Sequence, residues 1–264
     1  MRVAHSADGR YTDRVGPLFH RSPVKQPFAV FVLGLALHAP ALMGQDSAAA
    51  FPVPETIRYP AFLQSGESRF ALGVSFIGMP AEIVQEAASI HWPLIGFNVK
   101  VGLPSHFVLN GEVSTEVLTN HIEAGGAYTF RLNPNLHADI GIGFGYFFGQ
   151  LHQFGFKDNA HGWFTYPQAS LGYNFGKLAL TGQVKAHIVN SLHVENGEAG
   201  IDGSQNFFDG WSWRITLEQL FWKKTTVGLS FQMNRLKFYY PQWMLFPTYD
   251  RYFWMPEAMI RFSL

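Results

Sequence analysis

Residues 136–148 read LHADIGIGFGYFF. Leu136, Ala138, Ile140, Ile142, Phe144, Tyr146 and Phe148 take every second place, while His137, Asp139, Gly141, Gly143 and Gly145 fill the gaps between them. A period of two places successive side chains on opposite faces of a β-strand. One face of this strand is greasy and the other is polar or small. The fold turns on which solvent the greasy face meets.

The pattern recurs from residue 68 onward and predicts ten strands, at 68–78, 94–102, 107–117, 121–131, 136–148, 163–175, 178–189, 211–221, 225–236 and 251–263. Most reach the 9–11 residues that a tilted membrane-spanning strand needs, well beyond the five or six usual in soluble sheets. Short turns at 103–106, 132–135, 176–177 and 222–224 carry Pro, Gly and Asn, the chemistry of tight reversals. Longer, more polar segments at 79–93, 149–162, 190–210 and 237–250 alternate with them. Short turns at one end and long loops at the other are the asymmetry of outer-membrane barrels. Aromatics gather at both sets of strand ends: Trp92, Phe147, Phe148, Trp163, Trp211, Trp213, Tyr239, Tyr240, Tyr252 and Trp254 near the long loops, with Phe70, Phe130, Tyr173, Phe175, Phe221, Trp222 and Phe262 near the short turns. Two girdles at headgroup level are expected from these rings. The fold class predicted is all-β, an antiparallel up-and-down transmembrane β-barrel of about ten strands, eight or twelve being the alternatives. In a soluble sandwich or barrel the greasy faces would point inward instead.

The 264 residues are 16% aromatic and only 14% charged, with no cysteine for a disulfide framework, zinc ribbon or thiol nucleophile. Near the N-terminus, Arg21 and Lys25 precede the apolar run FAVFVLGLAL (28–37) and then small residues. That order predicts a signal peptide within 1–44, cleaved after Ala41 or after Gly44. Residues 45–67 are then a periplasmic lead and 68–264 the barrel. Losing 1–44 removes five basic and two acidic residues from 19 of each, leaving 14 against 17, net −3. No nucleic-acid partner is expected from that balance.

The C-terminal YFWMPEAMIRFSL (252–264) alternates hydrophobics and carries an aromatic, Phe262, close to the end. Over residues 66–264 the chain resembles the small bacterial outer-membrane β-barrel proteins, whose terminal strand is the signal read by the barrel-assembly machinery. Phe262 stands two places from the usual last position. The resemblance implies outer-membrane localisation, lipid contact and that assembly partner.

The alternation aims a set of ionisable residues inward. Glu112, Glu116 and Glu123 on the third and fourth strands are expected across the lumen from Lys185, His187 and Arg214, with Glu257 on the last strand. In a narrow barrel such groups meet and neutralise one another. The outer-membrane lipid A deacylases carry His-x-Ser on a strand with a later Glu. Here Val189 stands where that Ser would follow His187, and the ingredients His187, Ser191 and Glu198 are differently spaced. A lipid A-modifying hydrolase on these three residues is the alternative reading. The omptin-type proteases share the strand number, but the chain has neither Asp-x-Asp nor Asp-x-His. His193, Glu195 and Glu198 lie in one Gly-rich loop without metal-ligand spacing, so neither a metal nor a cofactor is expected. GIGFG (141–145) sits inside a strand with no following helix, and is no phosphate cradle. The expected role is non-enzymatic: structural, adhesive or minor permeation, with an extracellular ligand at the long loops.

Overall fold

Period-two sequences pair wherever their ladders can close, and here they close completely. A computed structural model describes residues 56–80, 91–116, 118–151, 158–195, 206–222, 225–245 and 250–264; the signal-peptide segment and Glu198 lie outside them. The strands are β1 (Ser68–Gly78), β2 (His91–Gly102), β3 (Phe107–Thr115), β4 (Thr119–Arg131), β5 (Leu136–Leu151), β6 (Asp158–Asn174), β7 (Leu178–Glu195), β8 (Phe207–Trp222), β9 (Thr225–Leu236) and β10 (Phe253–Ser263). Each pairs antiparallel with its chain neighbours, and β1 pairs with β10, from Ala71 opposite Ser263 to Ile77 opposite Glu257. Closure leaves no strand edge, the condition for sheet backbone in hydrocarbon.

The greasy face points out. Ile140, Ile142 and Phe144 on β5 are 62%, 44% and 54% exposed, and residues of the same kind line the outside of every strand. The soluble alternative required the reverse. The inward glycines of β5 make room: a Cβ at Gly143 would lie 2.8 Å from Glu123 Oε1, and one at Gly145 would lie 2.6 Å from His121 Nε2.

Several strands run further than the alternation indicates. β6 begins at 158 rather than 163, β7 ends at 195 rather than 189, and β8 begins at 207 rather than 211. The greasy alternation fades where polar residues such as Asn159, His161, Ser191 and His193 take over, yet the ladder continues through Asn159–Glu195 and His161–His193. Backbone pairing does not depend on the solvent outside.

The girdles are partly revised. Phe148, Trp163, Tyr252 and Trp254 do face outward at the long-loop end, as do Phe70, Phe175, Trp222 and Phe262 at the other. Phe147 and Tyr239 are buried instead, in a cluster with Phe164, Tyr166, Phe238 and Trp243, against which Tyr240 packs. Phe147 shares the parity of the inward glycines. The segment after β9 folds into the mouth as a 3-10 turn, Tyr240–Leu245, where Gly149 leaves space for the Trp243 indole.

Candidate functional site

The polar faces converge on the barrel axis in three tiers. At the short-turn end the lead enters the mouth. Ile57, Tyr59, Ala61 and Leu63 are all buried. The Glu218 carboxylate accepts the backbone N–H groups of Ile57 (2.7 Å), Arg58 (3.0 Å) and Tyr59 (2.8 Å). Lys100 Nζ donates to the Tyr59 carbonyl at 2.8 Å, and Tyr59 Oη donates to the Asn135 carbonyl at 3.1 Å. Gly172 is needed here, since a Cβ would lie 2.6 Å from the Tyr59 ring.

The middle tier is ionic. Glu112 on β3 stands directly opposite Glu123 on β4, an arrangement of like charges that is unfavourable unless each finds a cation. Arg58 of the lead reaches Glu112 Oε2 at 2.7 Å, and Arg261 of β10 reaches its Oε1 at 3.3 Å. Lys185 Nζ lies 2.9 Å from both oxygens of Glu123. Arg214 Nε donates to Gln232 at 2.6 Å, and Gln232 donates to Glu257 at 3.4 Å.

Above this, His121 Nε2 and Tyr166 Oη lie 3.1 Å apart, His187 Nε2 and Ser212 Oγ 2.9 Å apart, and Ser114 Oγ and Tyr240 Oη 3.2 Å apart. Tyr239 donates to Glu257 at 3.4 Å. The aromatic cluster closes the top. Cavities of ≈ 60 and ≈ 40 Å³ lie on either side of the Glu112–Glu123 level. Each suits a few waters and no larger solute.

Of the residues expected in the lumen, Glu112, Glu123, Lys185, His187, Arg214 and Glu257 are brought together. Glu116 is not: it follows β3, in the turn to β4, and joins none of these bonds. Burial pushes its carboxyl up to about 7. Arg214 meets an amide rather than a carboxylate, and Arg58 is a cation that strand periodicity does not single out. Its signal was present as the alternation Ile57, Tyr59, Ala61, Leu63, continuing ahead of β1.

The hydrolase residues separate. β7 carries a bulge: Trp163 pairs with Ser191, but Phe164 pairs with Val189, leaving Asn190 extra. Asn190 and Ser191 therefore both lie on the outward side, Ser191 beside the exposed Trp163, while His187 faces the lumen and Ser212. Lys185, His121, Arg214 and Tyr166 lie around His187, and no described carboxylate hydrogen-bonds its ring. A Ser-His-carboxylate relay needs all three on one face. Among the described residues no group of three His, Asp, Glu or Cys is placed to hold a metal ion.

No protein-family model matches the sequence, and no curated protein is found as a relative. Among solved structures the chain is similar to the attachment invasion locus protein Ail of Yersinia pestis (10% identity over 76% of this chain and 100% of that one, TM-score 0.34). It is similar also to the KdgM porin (8%, 73% and 97%, TM-score 0.35) and to the translocator domain of autotransporter NalP from Neisseria meningitidis (9%, 89% and 95%, TM-score 0.41). Likeness this distant leaves function to be argued from the chain's own residues.

Proposed function

We propose that this chain is an outer-membrane barrel closed along its axis, working through its outer, long-loop end in a structural or adhesive role rather than as an enzyme or an open pore. One observation carries the reading. The Arg58–Glu112–Arg261 and Glu123–Lys185 pairs cross the lumen between a plugged inner mouth and an aromatic outer cap. Export by the N-terminal segment, delivery to the assembly machinery through the last strand, and the short-turn end facing the periplasm complete it.

Two measurements test this. In outer-membrane fractions, unboiled chain should run faster on a detergent gel than boiled chain, as folded barrels do. In planar bilayers, purified chain should give no steady conductance. A soluble, single-band protein would overturn the location, and stable ohmic channels would overturn the closed lumen. For the hydrolase alternative, Ser191→Ala and His187→Ala should leave lipid A mass unchanged from wild type; loss of a deacylated product in both would restore it.

A further inference from the structure

Where β6 and β7 run past the greasy alternation, at the long-loop end, they bring two histidines together. His161 and His193 stand directly opposite one another in the ladder. Directly opposed residues of an antiparallel pair hold their Cβ atoms about 4.5–5.5 Å apart. The two imidazoles are stacked, with ring centres 4.9 Å apart and planes 16° from parallel. Strand parity puts both on the outer wall, His161 two places beyond the exposed Trp163 and His193 two places beyond Ser191. Both are half-buried, so water reaches them. Tyr146 flanks His161, ring centres 6.4 Å apart. Among the described residues no hydrogen bond or ion pair holds either imidazole.

We infer that His161 and His193 form a two-histidine chelate for a divalent transition metal on the outside of the barrel, with Cu²⁺ preferred over Zn²⁺. Imidazole nitrogen is a ligand that both ions favour, and Cu²⁺ binds a given nitrogen site more tightly than Zn²⁺. Metal–nitrogen bonds of about 2.0–2.1 Å bring two ligand nitrogens to roughly 3 Å from one another at one ion. Rings 4.9 Å centre to centre reach that separation by side-chain rotation alone. The ladder holds the two side chains side by side before the ion arrives, so the second nitrogen binds with little further loss of freedom. Water supplies the remaining ligands. The ion clips together the outer ends of two strands, β6 where it follows the 152–157 segment and β7 where it leads into 196–206. Neither the lumen network nor the plugged mouth takes part.

The test is Cu²⁺ titration of the folded full chain in detergent, purified without a histidine tag, read by electron paramagnetic resonance and calorimetry, with Zn²⁺ in parallel. At the tightest site, wild type should show Cu²⁺ held by two imidazole nitrogens. His161→Gln and His193→Gln should each weaken that site by on the order of a hundredfold, because the chelate is lost with either ring. His106→Gln, in the turn between β2 and β3 at the opposite end, should bind as wild type does, and all variants should keep the gel shift of a folded barrel. Cu²⁺ should also slow hydrogen exchange of the amides around 161 and 193 in wild type and in neither variant. A one-nitrogen signal, or unchanged affinity in either variant, overturns the inference while leaving the closed barrel and its proposed role standing.

Discussion

At the scale of single residues, the lumen is governed by the cost of burying charge. Glu123 and Lys185 are a partly buried pair 2.9 Å apart. Lys185→Met leaves an uncompensated carboxylate and should destabilise the barrel by about 3–5 kcal/mol, measured by urea unfolding in lipid. Adding Glu123→Leu should recover much of that loss, because the desolvated charge goes with it. Glu218, only 2% exposed, holds three backbone N–H groups of the lead. Hydrogen bonds to a charged acceptor are worth about 1.5–3 kcal/mol each, so Glu218→Gln should raise hydrogen exchange at Ile57, Arg58 and Tyr59 while the strand amides stay protected. Exchange unchanged at those three amides would mean that packing of Tyr59, and not the carboxylate, seats the lead.

At the scale of elements, small irregularities decide what faces what. The Asn190 bulge flips the parity of β7, so Ser191 leaves the lumen face that His187 occupies. The native chain has no cysteine, which makes the test clean: Ser191→Cys should react with a water-soluble maleimide on the folded barrel, and His187→Cys should not. The turn between β3 and β4 holds Glu116, whose buried carboxyl titrates near 7 against an ordinary 4.5. A raised carboxylate pKa means that the folded state binds the proton more tightly than the unfolded one. The associated stability is present below pH 4.5 and declines as pH rises through 7. Glu116→Gln should flatten that part of the decline in thermal unfolding between pH 4.5 and 7.5.

At the scale of the whole molecule, the closed wall and the filled axis are separate achievements. The wall is the ten-strand ladder with its outward apolar belt. The axis is filled by the lead from one end and by the segment after β9 from the other. Deleting residues 45–66 removes Arg58 and Tyr59 together, and should convert a silent barrel into one with small, fluctuating conductance while the gel shift persists. Continued silence would mean that the Glu123–Lys185 tier and the aromatic cap suffice to seal it.

The alternation in LHADIGIGFGYFF and its counterparts was enough to place strands and to separate a greasy from a polar face, because Cβ direction along a strand is a local steric property; that the strands number ten and the greasy face points out is settled by the closed ladder. The same parity points Glu112, Glu123, Lys185 and Glu257 inward, and Phe147 with them. Partners across the axis were not legible: Glu112 meets Arg261 from 149 residues away and Arg58 from 54. Such pairs depend on closure and register, which no local window contains. Nor was the Asn190 bulge visible, since an extra residue shows only against the strand opposite it. Local sterics wrote the wall into the sequence. What crosses the lumen, which residues change face, and what seals each mouth were decided only when the sheet closed and distant side chains had to share one narrow, desolvated space.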